Sequence, residues 1–337
     1  MSAAELPHPR EVYAFDDPGG TEASFADALA RGRLHHAWLL CGPEGVGKAT
    51  FAYRAARRLM GAAPDAARGL LGSRPGDPVS AQIAARSHPD LMVLERIGED
   101  GKQRKSIPVD DARRLPEFFA KAPASSPWRV AIIDAVDDMN VNAANALLKT
   151  LEEPPQRGVL FLVSHSPGGL LPTIRSRCRR LRFGAFDEAT VAEQLTHRLG
   201  LNGEDALRLA RMAHGSPGRA MTLAAQGALE LDRAAHDILR HLPGVDPAPL
   251  IALTDSFRGA SGAERFNLLF ERLAERVHAQ ALESAQETAQ GSRPLSDRWF
   301  SVWDRLTRLP REAEAVNLDR TDAFWSAMAE LRSAARG

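Results

Sequence analysis

The chain has 337 residues, with 43 basic and 43 acidic side chains and only two cysteines. This length suffices for two or three domains with sizeable cores, and a formal charge of zero excludes a chain-wide basic grip on nucleic acid while leaving a local patch open. Two cysteines form neither a disulfide framework nor a Cys-rich zinc site. The start lacks a signal-peptide pattern and no apolar run reaches membrane-spanning length, so we expect a cytoplasmic protein without membrane contact.

The first strong element is the apolar run 37–41, which predicts a buried strand. A glycine-rich loop and a helix-forming stretch, 51–59, follow it. This is the setting of a phosphate-binding P-loop, whose backbone N–H groups surround phosphate and whose Lys reaches the β/γ oxygens. The alternative is a glycine-rich turn without a ligand. The sequence therefore predicts nucleotide-binding residues, which are Gly42, Gly45, Gly47 and Lys48.

The residue after the P-loop Lys is unusual. A Ser or Thr hydroxyl at this position normally binds Mg²⁺, but here the residue is Ala49. Thr50 does not replace it, because one residue further along a helix turns the side chain by about 100°; we keep Thr50 only as a candidate nucleotide contact. The loop is therefore equipped to hold a nucleotide and poorly equipped to hydrolyse one.

The middle of the domain reads as alternating strands and helices. Residues 61–79 are rich in Ala, Gly and Pro and predict a surface insertion, and the turn 98–101 predicts a hairpin-like excursion. The other predicted elements are helices at 110–122 and 142–153 and strands at 129–134 and 159–163. This alternation predicts a doubly wound parallel α/β domain to about residue 184.

Strands disappear after residue 184. Short helices are expected in 185–226 and long amphipathic ones from 227 onward, where apolar stripes recur at helical spacing. These stripes predict an ordinary helical core; the alternative is a face that packs on another subunit. The predicted domains are 1–184 (P-loop), 185–226 (helical lid) and 227–337 (helical).

Asp134 ends the second strong strand, at the position of an acid that orders the water shell of a metal. In hydrolysing AAA+ P-loop enzymes a Glu usually follows and polarises the attacking water, but here Ala135 follows. Asp137 and Asp138 come past the strand end and are expected to point elsewhere. Two catalytic parts are thus missing, which argues against efficient hydrolysis.

Several motifs together resemble the delta-prime family of AAA+ subunits in the bacterial DNA polymerase III clamp loader, in order over nearly the whole chain. The helix 142–155 matches the family's hallmark helix, and 176–178 matches its Ser-Arg-Cys motif. Four further segments agree with the same family, which are 33–37, 87–90, 215–219 and 317–320.

The resemblance implies a pentamer that opens a sliding clamp and places it on primed DNA, with the C-terminal helices forming a collar. The implied partners are gamma/tau-type ATPase subunits, the delta subunit, the clamp and DNA. By the same resemblance Arg177 is an arginine finger that acts in trans on the γ-phosphate of a neighbour's ATP. The alternative for Arg177 is a solvated basic strand, since four more arginines surround it.

Two other residues carry roles by resemblance. Ser164 resembles a polar sensor of the γ-phosphate, or it simply satisfies a strand end. Arg219 resembles a second sensor that reaches the nucleotide from the lid, or it is an exposed arginine at a helix start. Some family members hold zinc with four cysteines after the P-loop helix; 60–90 contains no Cys, so we expect no zinc, while ATP or ADP binding stays open because Lys48 is retained.

The sequence therefore favours a largely non-hydrolysing clamp-loader subunit, a component of a DNA polymerase holoenzyme that is not catalytic by itself. One alternative is a clamp-loader ATPase that hydrolyses its own ATP, which would need a hydroxyl at 49 and a Glu at 135. Another is an unrelated P-loop kinase or NTPase with a helical appendage.

Overall fold

The computed structural model describes residues 7–97, 104–287 and 294–336. The predicted turn at 98–101 lies outside these residues. Contacts divide the chain into two compact units, Glu5–Met221 and Thr222–Gly337. The short helices after residue 184 thus belong mostly to the same unit as the sheet, and the three-domain division remains a prediction.

A five-stranded parallel sheet organises the first unit. Its spatial order is β2-β3-β4-β1-β5. The strands are β1 (Ala37–Cys41), β2 (Leu91–Glu95), β3 (Arg129–Asp134), β4 (Gly158–Ser164) and β5 (Arg179–Arg182). The three central strands β1, β3 and β4 are buried almost throughout, because helices cover both faces of a parallel sheet. The predicted doubly wound α/β domain is confirmed.

Helices alternate with these strands in the first unit. They are α1 (Thr21–Ala30), α2 (Lys48–Leu59), α3 (Pro78–Ala84), α4 (Val109–Ala120), α5 (Val141–Glu152), α6 (Pro172–Ser176), α7 (Glu188–Leu199), α8 (Gly203–Met212) and α9 (Pro217–Ala225), which runs past the unit boundary. The side chain of Asn140 caps α5 by accepting from the Ala143 N–H at 2.9 Å. The helix ends before Pro154, as expected, because proline lacks the N–H that would continue it.

The two faces of the sheet bury separate apolar layers. One layer is aromatic and groups Phe25, Trp38, Phe51 and Phe161, with Phe25 edge-on to Trp38 at 5.0 Å. The other is aliphatic and is formed around Leu39, Ile133, Leu147 and Leu162. Alternate residues of each strand point into opposite layers, so the sheet is fixed in register by both.

The segment 61–79 is not wholly a surface insertion. Leu71 is buried, and its N–H donates to Oε2 of Glu22 on α1 at 3.3 Å. The same carboxylate accepts from Nε of Arg54 at 2.6 Å, in an ion pair that is almost fully buried. A buried carboxylate needs such partners, and composition alone did not show that this segment supplies one.

The second unit is helical. Its helices are α10 (Ala228–Arg240), α11 (Pro247–Asp255), α12 (Gly259–Glu287), α13 (Pro294–Ala315) and α14 (Arg320–Arg336). The apolar residues that recur at helical spacing on α12 and α14 are buried. On α13 the corresponding residues are also buried, except Trp303, which is partly exposed. This agrees with the predicted helical core. Among the described residues, no helix combines the length and apolar character needed to cross a membrane.

Candidate functional site

The P-loop connects the end of β1 to the start of α2, as the sequence predicts. Gly45 and Gly47 have φ angles of 78° and 97°, in the left-handed region where a side chain is strained. Gly45 also lies against the start of α9: a Cβ there would be 2.3 Å from the backbone N of Arg219. The loop therefore requires glycine for both its backbone shape and its contact.

Lys48 begins α2 and is buried, with its ammonium turned onto the loop itself. Its Nζ donates to the carbonyl of Gly42 at 2.6 Å and to that of Pro43. Burial lowers the pKa of Lys48 to about 8, and the nearby carboxylates of Asp134 and Glu44 oppose this shift. The ammonium must leave these carbonyls to meet a phosphate.

The two residues that replace catalytic groups lie at the same edge of the sheet. Ala49 is the second residue of α2 and half-buried, and Thr50 follows it around the helix. Ala135 follows β3 and is only 2% exposed, packed within the aromatic layer. Neither methyl group can bind Mg²⁺ or polarise a water.

Asp137 does not point away from the site, and this prediction was wrong. Its Oδ1 accepts from the Ser164 hydroxyl at 2.9 Å, and its Oδ2 accepts from the His165 N–H at 2.7 Å. The turn after β3 brings this carboxylate beside the end of β4, because the two strands are neighbours in the sheet. Asp138 does point elsewhere and pairs with Arg96 at 3.0 Å.

Ser164 is fully buried, and its hydroxyl proton is already donated to Asp137. Its backbone carbonyl accepts from the Gly42 N–H at 3.3 Å, which ties β4 to the P-loop. The side chain therefore fits the strand-end alternative, and a role as γ-phosphate sensor remains a prediction.

Helix α9, which lies in the predicted lid, starts on the P-loop. The Gly218 N–H donates to the Gly45 carbonyl at 2.8 Å, and Arg219, half-buried, is the next residue. The predicted second sensor is thus close to the P-loop through its backbone. The Ser-Pro-Gly turn before it places two glycines, 45 and 218, in direct contact.

Arg177 lies at the opposite edge of the sheet from the P-loop. It caps α6 just before β5, and β5 pairs Arg179 with Trp38 at the start of β1. The P-loop instead follows Cys41 at the other end of β1, about 10 Å further along the strand. Arg177 therefore stands at the amino edge of the sheet, whereas the P-loop, Asp134 and Ser164 gather at the carboxyl edge.

The guanidinium of Arg177 has two partners. Nη1 donates to the Thr173 carbonyl at 3.0 Å, and Nη2 lies 3.0 Å from Oε1 of Glu152 on α5. A third of the side chain remains exposed. The alternative for Arg177 was a place on a solvated basic strand. That strand exists as β5, but Arg177 comes before it in the chain.

The structure thus brings the predicted nucleotide residues together and leaves the predicted finger apart. Sequence reasoning did not predict the contacts of Asp137, Glu152 and Gly218; that of Glu152 could have been considered, since the residue lies within the hallmark helix motif. Within the described residues, no group of three or more His, Cys, Asp or Glu side chains could hold a metal ion.

Comparison with known proteins gives concordant matches. A family model described as DNA polymerase III, delta subunit, matches residues 20–187. The DNA polymerase III subunit delta' of Pseudomonas aeruginosa is 37% identical over 62% of this chain and 62% of its own length. The DNA polymerase III subunit tau of Escherichia coli is 30% identical over 84% of this chain and 44% of its own length. The chain thus spans less than two thirds of either relative.

A solved structure of a DNA polymerase III gamma subunit-related protein from Thermotoga maritima covers 93% of this chain at 18% identity, with a TM-score of 0.46. That likeness is too weak to support a fold assignment, which rests instead on the strand order and the P-loop.

The parallel sheet, the P-loop after β1 and the helices beyond it define a P-loop domain of the AAA+ class with a helical C-terminal region. In sequence, the chain is similar to the delta' and tau subunits of DNA polymerase III. This similarity speaks against the unrelated P-loop kinase.

Proposed function

We propose that the chain is a largely non-hydrolysing delta-prime subunit that lends Arg177 to a neighbouring ATPase subunit while a sliding clamp is loaded during DNA replication. One observation carries this proposal. Arg177 and the chain's own P-loop lie at opposite edges of the sheet, with the length of β1 between them. The guanidinium therefore lies away from any nucleotide that this chain holds, so a phosphate that it contacts would belong to another subunit.

The chemistry suits the guanidinium. It is planar, stays charged and offers fixed N–H donors to the charge that spreads over a transferring phosphoryl group. Arginine fingers are worth about 10³–10⁵ in rate where they have been removed. Arg177 is partly exposed on the protein surface, so it can reach a partner without unfolding any element.

The chain's own site supports binding more than turnover. The backbone N–H groups of the P-loop suit the negatively charged phosphates of ATP or ADP. The residues that would hold these phosphates are Gly42, Gly45, Gly47 and Lys48. Thr50, Asp134, Ser164 and Arg219 are the further candidate contacts. Ala49 supplies no hydroxyl for Mg²⁺ and Ala135 supplies no carboxylate for the water, so bound nucleotide would persist.

The proposed partners are those that the similarity to DNA polymerase III subunits suggests: gamma/tau-type ATPase subunits, the delta subunit, the sliding clamp and, through the assembly, primed DNA. The C-terminal helices would join the collar. Any contact with DNA should reach backbone phosphates and be insensitive to sequence.

The test is the clamp- and DNA-stimulated ATPase of the reconstituted loader with Arg177→Ala. We expect turnover at the receiving site to fall at least about 100-fold, because the transition-state charge loses its donor. Arg180→Ala, which removes an exposed positive charge from β5, is the matched control and should retain activity. Full turnover by an intact assembly with Arg177→Ala would refute the proposal.

The second candidate, a subunit that hydrolyses its own ATP, rests on the retained Lys48 and P-loop. It requires ATP turnover by the purified chain alone, at a rate comparable with the motor subunits. The absence of a hydroxyl at 49 and a carboxylate at 135 leads us to expect none.

A further inference from the structure

Glu152 is the last residue of α5 and lies beside the proposed finger. Its Oε1 is 3.0 Å from Nη2 of Arg177, while Nη1 of the same guanidinium donates to the Thr173 carbonyl at 3.0 Å. Two elements thus hold one guanidinium: the end of α5 and the first turn of α6. Nothing in the nucleotide site accounts for this pairing, because α5 ends at the amino edge of the sheet.

The pair is weak enough to exchange. The Glu152 side chain is about half exposed and that of Arg177 about a third. Ion pairs in such surroundings contribute little, since water and salt screen them and two long side chains must be ordered. A guanidinium has five N–H groups, and the two described contacts leave others available to an incoming anion.

Resting on the proposed function, we propose that Glu152 is a positioning residue that holds Arg177 in a resting place and competes with the neighbour's γ-phosphate for it. A carboxylate and a phosphate demand the same donors. If both remained close to the guanidinium, they would also repel each other. The finger therefore exchanges one anion for another when the neighbour's nucleotide arrives, and the neighbour's ATP affinity is lower than it would be without Glu152.

The location also makes the carboxylate removable. A negative charge at a helix C-terminus is disfavoured by the helix dipole, and Glu152 ends α5. Its neutral isostere should therefore leave the helix intact. Glu153, the exposed C-cap of the same helix, offers the same charge change one residue away.

The experiment compares loaders reconstituted with the wild-type chain, Glu152→Gln and Glu153→Gln. ATPγS affinity is measured by equilibrium binding, and clamp- and DNA-stimulated turnover is measured at saturating ATP. For Glu152→Gln we expect ATPγS affinity to rise about two- to fivefold, the range that an exposed pair allows, with kcat unchanged. The gain should shrink as salt is raised, because the lost competitor was a screened charge. Glu153→Gln should match wild type.

A purely structural role for Glu152 would lower assembly or kcat and would not tighten ATPγS binding. An affinity for Glu152→Gln that equals wild type or falls below it overturns the proposal. So does a gain that persists in the Arg177→Ala background, because the effect would then not pass through Arg177. If Glu152→Gln fails to assemble, Glu152→Asp gives the second test: its shorter side chain should produce a smaller gain of the same sign, and no gain refutes the idea.

The two proposals fail separately. If Arg177→Ala leaves stimulated turnover intact, the finger itself is wrong. If Arg177→Ala is severe and Glu152→Gln behaves as wild type, the finger stands and only the competition is wrong.

Discussion

At the scale of single residues, Asp134 occupies an unfavourable electrostatic position. It ends β3 and is partly buried, and burial together with the neighbouring Glu95 raises the pKa of its carboxyl to about 6. The charges of His8 and Lys48 oppose this shift without cancelling it. An acid kept at this position without a bound metal or nucleotide is a cost to stability.

We predict that Asp134→Asn stabilises the protein at neutral pH. Because the folded-state pKa lies above the ordinary value of a free Asp, the folded protein holds the proton more tightly, so stability falls as pH rises from about 4 to 6. Above pH 6 the cost is complete, about 1–3 kcal/mol. Urea unfolding should show that gain for Asp134→Asn at pH 7 and little gain at pH 4. Asp110→Asn, at an exposed position, is the control, and an equal gain at both pH values would contradict the account.

The contiguous part of the site was predictable, and its long-range partners were not. The P-loop glycines and Lys48 follow from one short motif whose geometry is local. The hydrogen bond between Ser164 and Asp137 joins residues 27 positions apart in the sequence. The ion pair between Glu152 and Arg177 joins the end of α5 to the end of α6. Such contacts depend on which strands become neighbours, and spacing within the sequence does not encode that order.

At the scale of elements, the contact between the P-loop and the start of α9 closely constrains the site. The Gly218 N–H donates to the Gly45 carbonyl at 2.8 Å, and a Cβ on Gly218 would be 2.9 Å from that same oxygen. The two glycines thus allow two backbones to meet where side chains would separate them.

Gly45→Ala should therefore lower the free energy of unfolding by about 2–4 kcal/mol. The methyl group would stand 2.3 Å from the Arg219 nitrogen, and the φ of 78° is strained for alanine. Urea denaturation measures the change. Gly76→Ala is the matched control, because no heavy atom lies within 4 Å of its Cβ position. If both variants are equally stable, the described contact does not hold in solution.

The strands and helices with the most apolar residues were the easiest to predict from the sequence. The runs that became β1, β3 and β4 are nearly all apolar and are buried on both faces. Strand β5 contains one buried apolar residue, Leu181, between arginines, so only its pairing with β1 defines it. The helix α3 was not predicted, because it begins at the end of a Pro- and Gly-rich stretch. Asp77 caps this helix by accepting from the Val79 and Ser80 N–H groups.

At the scale of the whole molecule, the two proposed functional elements lie on opposite edges of one sheet. The carboxyl edge carries a P-loop without its metal-binding hydroxyl, and the amino edge carries Arg177. The helical second unit has its own apolar core. We therefore propose that this chain acts on a neighbour's nucleotide through Arg177 and contributes no turnover through Lys48.

The most direct test compares a substitution at the carboxyl edge with a substitution at the amino edge, each in a reconstituted loader. Loaders are reconstituted with Lys48→Met, which keeps the length of the side chain without its charge, or with Arg177→Ala, and clamp- and DNA-stimulated ATP hydrolysis is measured at matched complex concentration. We expect turnover within about twofold of wild type for Lys48→Met and a loss of at least about 100-fold at the receiving site for Arg177→Ala. A severe loss with Lys48→Met and normal turnover with Arg177→Ala would show that the chain is an ATPase in its own right and would contradict the account.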